Sequence, residues 1–480
     1  MRKIIEHTIL LLFLIPLFFI NIKSSHDWGD DFAQYIHQAK NISEGISQNE
    51  TGYIYNPDIA VLGPQAYPIG LPMILSSFIG SDHIDFVVLN YVMTFFLVMA
   101  SVFAFLFFRN NFSFLTSLFT TIIIAYNPYF LNFKSEINSD MPFTAFLFFS
   151  LFLISRQKTI YNIIILGTAM AFLAHIRSIG LLFFLVYIIY LFIFDIEPKL
   201  KTTHLKKQLL IFSFLIPYFG LKFYFPCSTN YPFLLEGNHL FERINEHLSY
   251  NFLALSYFFN IYEPINQYFI GIISSSVLVV TSLLGFLYQW KTNKINFINF
   301  FVLAYIITIA TFPFGNTGLR FISPILFLVF YYSIIALKKI LMPFQLNYNI
   351  ATPIFGVIIL LSYKPQIEKL IENQNTVING PCTNASNDAF RFIKSMSSNN
   401  DVIVFEKPRA LALYTHTKAV ALKNDLNAIE LKKQLKKFKA TYLLMNTFLP
   451  NDGLSNYLKA DSLNHTLLFS NSEYQFYRLL

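Results

Sequence analysis

Long apolar runs separated by short polar breaks constrain this chain more than any other feature. Runs such as Phe86–Phe108, Ile270–Leu287 and Phe321–Leu337 reach or approach the roughly 20 helical residues that cross about 30 Å of hydrocarbon. Several such runs predict repeated membrane crossing. Composition agrees: the 480 residues are 55% hydrophobic and 13% charged, with a mean hydropathy of +0.50, which is too little polar surface to wrap a water-soluble core. The expected fold is therefore mainly α, a polytopic bundle of transmembrane helices.

Apolar runs and breakers place helices near 5–22, 84–108, 112–127, 140–155, 159–175, 179–195, 208–225, 267–290, 296–312, 320–337 and 349–363, about eleven spans. With the N-terminus inside, the inner connections hold Arg2 and Lys3; Arg109; Arg156 and Lys158; Lys199, Lys201, Lys206 and Lys207; Lys291 and Lys294; Lys338 and Lys339. Each inner connection carries positive charge, as the positive-inside rule requires. The formal charge of +8 is thus spread over loops and forms no patch for nucleic acid. Arg2 and Lys3 before an apolar stretch resemble a signal peptide. The small-residue cleavage pattern is poor around Lys23–Ser25, so an uncleaved first helix is expected.

An odd number of spans puts the C-terminus outside, together with two long loops, 23–83 and 226–266. The chain divides at this level into a membrane domain, 1–363, and a tail, 364–480, that reads as a small extracytoplasmic α/β domain. Within the tail, Asp388–Met396 and Ala428–Phe438 have helical spacing, and Val402–Phe405, Thr441–Met445 and Thr466–Phe469 read as strands. Two cysteines, Cys227 and Cys382, are too few for a disulfide framework or a zinc site and leave room for one bridge. No nucleotide-binding glycine motif occurs and no cofactor is expected, so energy comes from an activated substrate, an ion gradient or nothing.

The outer segments carry the polar chemistry. In "HDWGDDFAQYIHQAKNISEG", Asp31, Gln34, Gln38 and Asn41 share one helical face and Phe32, Ile36 and Ala39 another, which predicts an amphipathic helix at the membrane surface. Its aspartate has two readings, a helix N-cap or a functional carboxylate. Downstream, "AYPIGLP" sets Pro68 and Pro72 around Gly70, a bend where the chain returns to the membrane. "KSEINSDMPF" puts Glu136 and Asp140 at the outer end of the fourth span, where Asp140 again caps a helix or serves a site.

Outer basic residues need a reason, because positive charge is disfavoured there. Arg177 and Arg320 lie at helix ends, either snorkelling to lipid headgroups or clamping a phosphate through paired guanidinium donors. His239, Arg243 and His247 follow one another at i, i+4 spacing. Two such histidines can hold a metal, but no third ligand is identifiable nearby, and a solvated or glycan-facing surface is expected instead.

The ordered set of "HDWGDDFAQYIHQA", "YPIGLP", "NSDMPF", "HIRSIGLL" and "GLRFISPILF" resembles the GT-C membrane glycosyltransferases, in particular their bacterial dolichyl-phosphate-mannose protein mannosyltransferase-like and aminoarabinose transferase-like branch. The likeness covers roughly residues 5–340, and the tail is similar to the small extracytoplasmic domain of many members. In the family, Asp-Glu is followed by Tyr four residues after the Asp and Ala eight after it. Asp31, Tyr35 and Ala39 fit that spacing, while Phe32 stands at the usual Glu, so Asp30 either supplies the missing carboxylate or is itself the catalytic residue.

The resemblance implies transfer of a sugar from a polyprenyl-phosphate donor to a glycan, lipid or protein acceptor on the extracytoplasmic face of the plasma (inner) membrane. Asp31 or Asp30 would be catalytic, and Tyr35, Tyr67, Glu136, Asp140, Arg177, Arg243 and Arg320 would bind substrate. A transporter or flippase of a lipid-linked saccharide is the competing reading. Such proteins tend to carry internal repeats and paired broken helices, which are not seen in this sequence.

Overall fold

The computed structural model describes residues 2–80, 84–156, 159–194, 204–227, 240–256, 258–259, 265–292, 296–312, 318–374, 376–423, 426–448, 452–460 and 465–479. His239, Lys158, Lys199, Lys201 and Lys294 lie outside the described residues. Two compact units share the chain. One comprises Met1–Ile22, Asn90–Tyr224 and Phe233–Gln374; the other comprises Lys23–Leu89, Phe225–Pro232 and Asn375–Leu480. Residues 23–89 cluster with the tail from Asn375.

The first unit is helical. Among the described residues, four helices are long and apolar enough to cross a membrane: Phe86–Arg109, Phe269–Thr292, Leu319–Phe344 and Tyr348–Glu372. Five shorter apolar helices are Phe114–Ala125, Asp140–Ile154, Ile160–Ile176, Gly180–Ile193 and Phe297–Ala310. Their ends follow local capping chemistry. Ser113, Thr159 and Asn296 each sit in extended backbone, and each side chain accepts a hydrogen bond from an amide in the next turn, which satisfies donors a helix start leaves open. Inside the unit, Asn127 Nδ2 donates to the Phe258 carbonyl at 2.7 Å and to the Tyr363 hydroxyl at 2.9 Å. Lys134 Nζ, wholly buried, donates to Thr94 Oγ1 at 3.0 Å.

The second unit is built on a five-stranded sheet of β1 (Val402–Val404), β2 (Lys418–Val420), β3 (Tyr442–Asn446), β4 (His465–Ser470) and β5 (Tyr474–Leu479). Spatial order is β2-β1-β3-β5-β4. The β1 pairings with β2 and β3 are parallel, and β5 runs antiparallel to β3 and β4. Val402, Val404, Val420, Leu431, Leu435 and Leu443 form its core. Three of the strands match the expected ones; β2 and β5 are additional.

The segment after the first helix is tied to this sheet. Ala419 N donates to the Gly52 carbonyl at 3.0 Å and Ile54 N donates to the Ala419 carbonyl at 2.9 Å, so residues 52–54 cover the β2 edge, which would otherwise present unpaired backbone groups. Gly52 has φ +70°, and a Cβ there would stand 2.7 Å from the Thr417 carbonyl; the contact requires glycine.

The Asp30–Ser43 helix forms as expected but is buried on both faces. The surface-lying helix is thereby corrected. Its polar side chains face irregular backbone instead of headgroups: Gln34 Nε2 donates to the Gln65 carbonyl at 2.6 Å, Gln38 both accepts from Tyr67 N at 2.9 Å and donates to its carbonyl at 3.0 Å, and Asn41 Nδ2 donates to the Glu50 carbonyl at 2.9 Å. A buried loop must pair its backbone groups, and the Gln/Asn stripe does that for residues 50–67.

Candidate active site

Asp31 is not a cap. The N-cap of its helix is Gly29, with no side-chain capping bond, and Asp30 and Asp31 fill the first turn. Consecutive helical positions project about 100° apart, and the two carboxylates meet different surroundings. The Asp30 side chain is 7% exposed and that of Asp31 is 31% exposed. Asp31 Oδ1 accepts a short hydrogen bond from the Tyr67 hydroxyl and another from Arg409 Nη1 at 3.3 Å.

Arg409 is contributed by the Pro408–Thr415 helix and is 1% exposed. Its Nη1 also donates to the Tyr67 hydroxyl at 2.7 Å, and Nη2 donates to the Pro64 carbonyl at 2.9 Å. The guanidinium packs against two rings, 4.7 Å from the centroid of Tyr53 and 4.8 Å from that of Tyr67, where the π faces favour a desolvated cation. Burial pulls the guanidinium pKa down, and Tyr67, Asp30, Tyr53 and Asp31 more than reverse the effect, so it stays charged. Gly63, at φ +82°, lets the chain pass: a Cβ there would lie 3.1 Å from both Arg409 Nη2 and the Tyr67 hydroxyl.

Asp30 faces Arg409 Nε through Oδ2 at 4.0 Å, too far for a hydrogen bond. Neither atom has a hydrogen-bond partner. Its other oxygen accepts from Ala410 N at 3.3 Å. Burial lifts the Asp30 carboxyl from its ordinary 3.8 to about 6, against the lowering pull of Arg409, Lys407 and the Ala410 amide, with Asp31 adding to the rise. One carboxylate is buried and reluctant to ionise; the other is partly exposed and accepts from Tyr67 and Arg409 on Oδ1.

The other tyrosine candidate is Tyr35. Tyr35 is 3% exposed and stacks on Tyr67 at 4.7 Å between centroids, so it supports the Tyr67 ring. Cys227 and Cys382 are both free thiols, Cys227 Sγ donating to the Tyr67 carbonyl at 3.3 Å; the possible bridge does not form.

A second constellation lies in the helical unit. Asp140 opens the Asp140–Ile154 helix but does not cap it: Ser139 is the N-cap, without a side-chain bond. The fully buried Asp140 carboxylate accepts from Arg177 Nη1 on Oδ1 and from Arg320 Nε on Oδ2, the latter at 2.8 Å. Arg177 and Arg320 are 16% and 21% exposed; they are ion-paired, which replaces the snorkelling reading. Asn138 links the loop by accepting from Asp140 N at 3.2 Å and donating to Glu136 Oε2 at 3.3 Å. Glu136 and Arg320 both act electrostatically on the Tyr129 hydroxyl. Arg243 is partly buried on the Leu240–Ser256 helix and acts on His247; among the described residues it joins neither constellation. No group of three or more His, Cys, Asp or Glu that could hold a metal occurs among the described residues.

Sequence reasoning did not find Arg409, Tyr53 or Tyr129. The signal for Arg409 is its setting in "PRALALY", where a lone charge among small and apolar helical neighbours has to be buried and therefore paired.

No protein-family model and no curated protein matches the chain. Solved structures do. The archaeal oligosaccharyltransferase AglB from Archaeoglobus fulgidus, in complex with an inhibitory peptide and a dolichol-phosphate, is similar at a TM-score of 0.55 and 12% identity, over 93% of this chain and 70% of that one. A structure of the Archaeoglobus fulgidus oligosaccharyltransferase complex with Zn and sulfate gives 0.53 and 12%, over 92% and 67%. ArnT from Cupriavidus metallidurans bound to undecaprenyl phosphate gives 0.49 and 12%, over 98% and 97%. The likeness is one of fold: the chain shares the mainly helical fold of these membrane proteins, and among its described residues four helices are long and apolar enough to cross a membrane.

Proposed function

We propose that the protein is a membrane glycosyltransferase that moves a sugar from a polyprenyl-phosphate carrier to a hydroxyl-bearing glycan, lipid or protein acceptor at the extracytoplasmic face of the plasma membrane. The observation that carries this reading is the partly exposed Asp31 carboxylate, which accepts from Tyr67 and Arg409 on Oδ1, in a chain that shares its fold with AglB. AglB was solved with a dolichol-phosphate and a peptide, and the same classes of donor and acceptor suit the chemistry of this site.

In the proposed step, the acceptor oxygen attacks the anomeric carbon and the bond from that carbon to the phosphate oxygen breaks. The acceptor proton passes to Asp31, acting as general base, and the phosphate leaves with the electron pair on its oxygen. Asp30 is the poorer base here, because it is enclosed and an acceptor cannot reach it. Tyr67 orients the Asp31 carboxylate, and Tyr35 supports Tyr67. Within the helical unit, Arg177 and Arg320 are assigned to bind a lipid phosphate, since guanidinium forks match phosphate oxygens, with Asp140 and Glu136 orienting them. The N-terminus is cytoplasmic and residues 364–480 are extracytoplasmic in this reading, supported by the inside clustering of Lys and Arg.

Mass spectrometry of lipid-linked sugars and surface glycans, with and without the protein, tests the function. Loss of one glycan modification together with accumulation of its lipid-linked sugar supports transfer. The same loss with the lipid-linked sugar confined to the inner leaflet would instead indicate translocation, and an unchanged glycan profile would refute transfer.

A further inference from the structure

We propose that Arg409 is a positioning residue for Asp31, a cation supplied by the C-terminal part of the chain that keeps the carboxylate ionised and aimed. The inference rests on the reading of Asp31 as the reacting carboxylate.

An arginine this deeply enclosed has to spend its donors on something. A purely structural arginine would be expected to satisfy the most buried acceptor next to it, and that acceptor is Asp30. Yet Asp30 Oδ2 and Arg409 Nε stand 4.0 Å apart with neither hydrogen-bonded; a shift of about 1 Å would satisfy both. The fork instead reaches past Asp30 to the Tyr67 hydroxyl at 2.7 Å, the Pro64 carbonyl at 2.9 Å and Asp31 Oδ1 at 3.3 Å. Leaving two buried polar atoms unpaired is unfavourable, so the guanidinium position is fixed by the Asp31–Tyr67 pair. The rings of Tyr53 and Tyr67 both pack against it, at 4.7 and 4.8 Å, and Gly63 has no side chain to displace it.

The connection is double. Arg409 Nη1 donates directly to Asp31 Oδ1, and it also donates to the Tyr67 hydroxyl, which in turn donates a hydrogen bond to the same oxygen. Both contacts favour the ionised carboxylate. The other titratable groups around this point are Asp30 beside it on the same helix, Lys407 and Arg409 from the segment packed against that helix, and the phenols of Tyr35, Tyr53 and Tyr67. Without Arg409 the two adjacent carboxyls would oppose each other's ionisation. The segment carrying Arg409 is 378 residues from Asp31 in sequence, so the C-terminal region completes a group on the first outer loop.

The test uses the full chain in detergent and reads Asp31 protonation without any sugar substrate. A water-soluble carbodiimide with glycinamide modifies protonated carboxyls, and peptide mass spectrometry reports modification at Asp31 from pH 4 to 8. Arg409→Met should move the midpoint up by one pH unit or more, since an adjacent arginine lowers an aspartate by about 1–3 units. Tyr67→Phe should move it up by a smaller amount and buries no unpaired charge, so it decides the matter if Arg409→Met does not accumulate. A midpoint unmoved in Tyr67→Phe, and in Arg409→Met where it folds, overturns the inference. Sugar transfer surviving in Asp31→Asn would refute the catalytic reading separately, because the labelling midpoint does not depend on turnover.

Discussion

Asp140→Asn separates two accounts of the second constellation by several kilocalories. Asn and Asp are comparable at helix starts, so a residue that matters only for its helix end would lose a few tenths of a kcal/mol. The structure instead has Asp140 neutralising two arginines at once, through Oδ1 to Arg177 and Oδ2 to Arg320. Without the charge, two largely buried guanidiniums are left beside a neutral amide, and removing one partner of a buried ion pair costs about 3–5 kcal/mol. The partial exposure of both arginines lowers the figure, and about 2–3 kcal/mol is the expected net loss. Thermal unfolding of the detergent-solubilised protein, with membrane accumulation as a second readout, should show a melting temperature several degrees below wild type. Arg177→Met added to Asp140→Asn should recover part of the loss by removing one of the repelling charges. A melting temperature within a degree of wild type for Asp140→Asn would refute the ion-cluster account.

Three further outcomes are expected. Arg320→Lys keeps the charge but loses the planar fork; it should reduce turnover or raise the donor KM with protein levels intact, and wild-type kinetics would count against a phosphate role. Burial holds the Asp30 carboxyl at about 6 against an ordinary 3.8, so its ionisation opposes folding: the fold is favoured below pH 4 and loses about 3 kcal/mol as pH rises past 6, at about 1.4 kcal/mol per unit. Stability measured from pH 4 to 7 should therefore fall more steeply in wild type than in Asp30→Asn, and parallel curves would contradict the assignment. Reporter fusions after Lys339 should read cytoplasm and fusions after Lys394 should read outside; a cytoplasmic signal at Lys394 would break the proposed topology.

The spans were legible because a run of apolar residues is a length signal that needs no partner. The expected 84–108 and 159–175 helices appear as Phe86–Arg109 and Ile160–Ile176. Asp31 stood out because Tyr35 and Ala39 follow it at the spacing of the family the sequence resembles, and Asp140 through its place before an apolar helix. What each carboxylate binds was not legible. Arg409 comes from the far end of the chain, and Arg177 and Arg320 reach Asp140 from just past the Ile160–Ile176 helix and from the Leu319–Leu341 helix. Such pairings are made by tertiary packing, which no local pattern encodes. The Gln34, Gln38 and Asn41 stripe misled for a related reason. Periodicity marks those residues as one polar face, but it does not distinguish water or headgroups from the backbone of residues 50–67. Strand β2 is three residues long, too short to alternate visibly. Strand β5, "YQFYRL", alternates buried and exposed at its start and could have been read.

The central claim is that Asp31 is the reacting carboxylate and Asp30 its buried neighbour. The direct measurement is sugar transfer by membranes containing Asp31→Asn beside Asp30→Asn, scored by mass spectrometry of the modified acceptor and normalised to protein present. Asn preserves shape and removes the charge that accepts a proton, so Asp31→Asn should accumulate normally and lose about 10²–10⁴-fold in rate, while Asp30→Asn keeps most of its activity. Activity retained in Asp31→Asn and lost in Asp30→Asn would move the base by one residue, and activity retained in both would contradict the account.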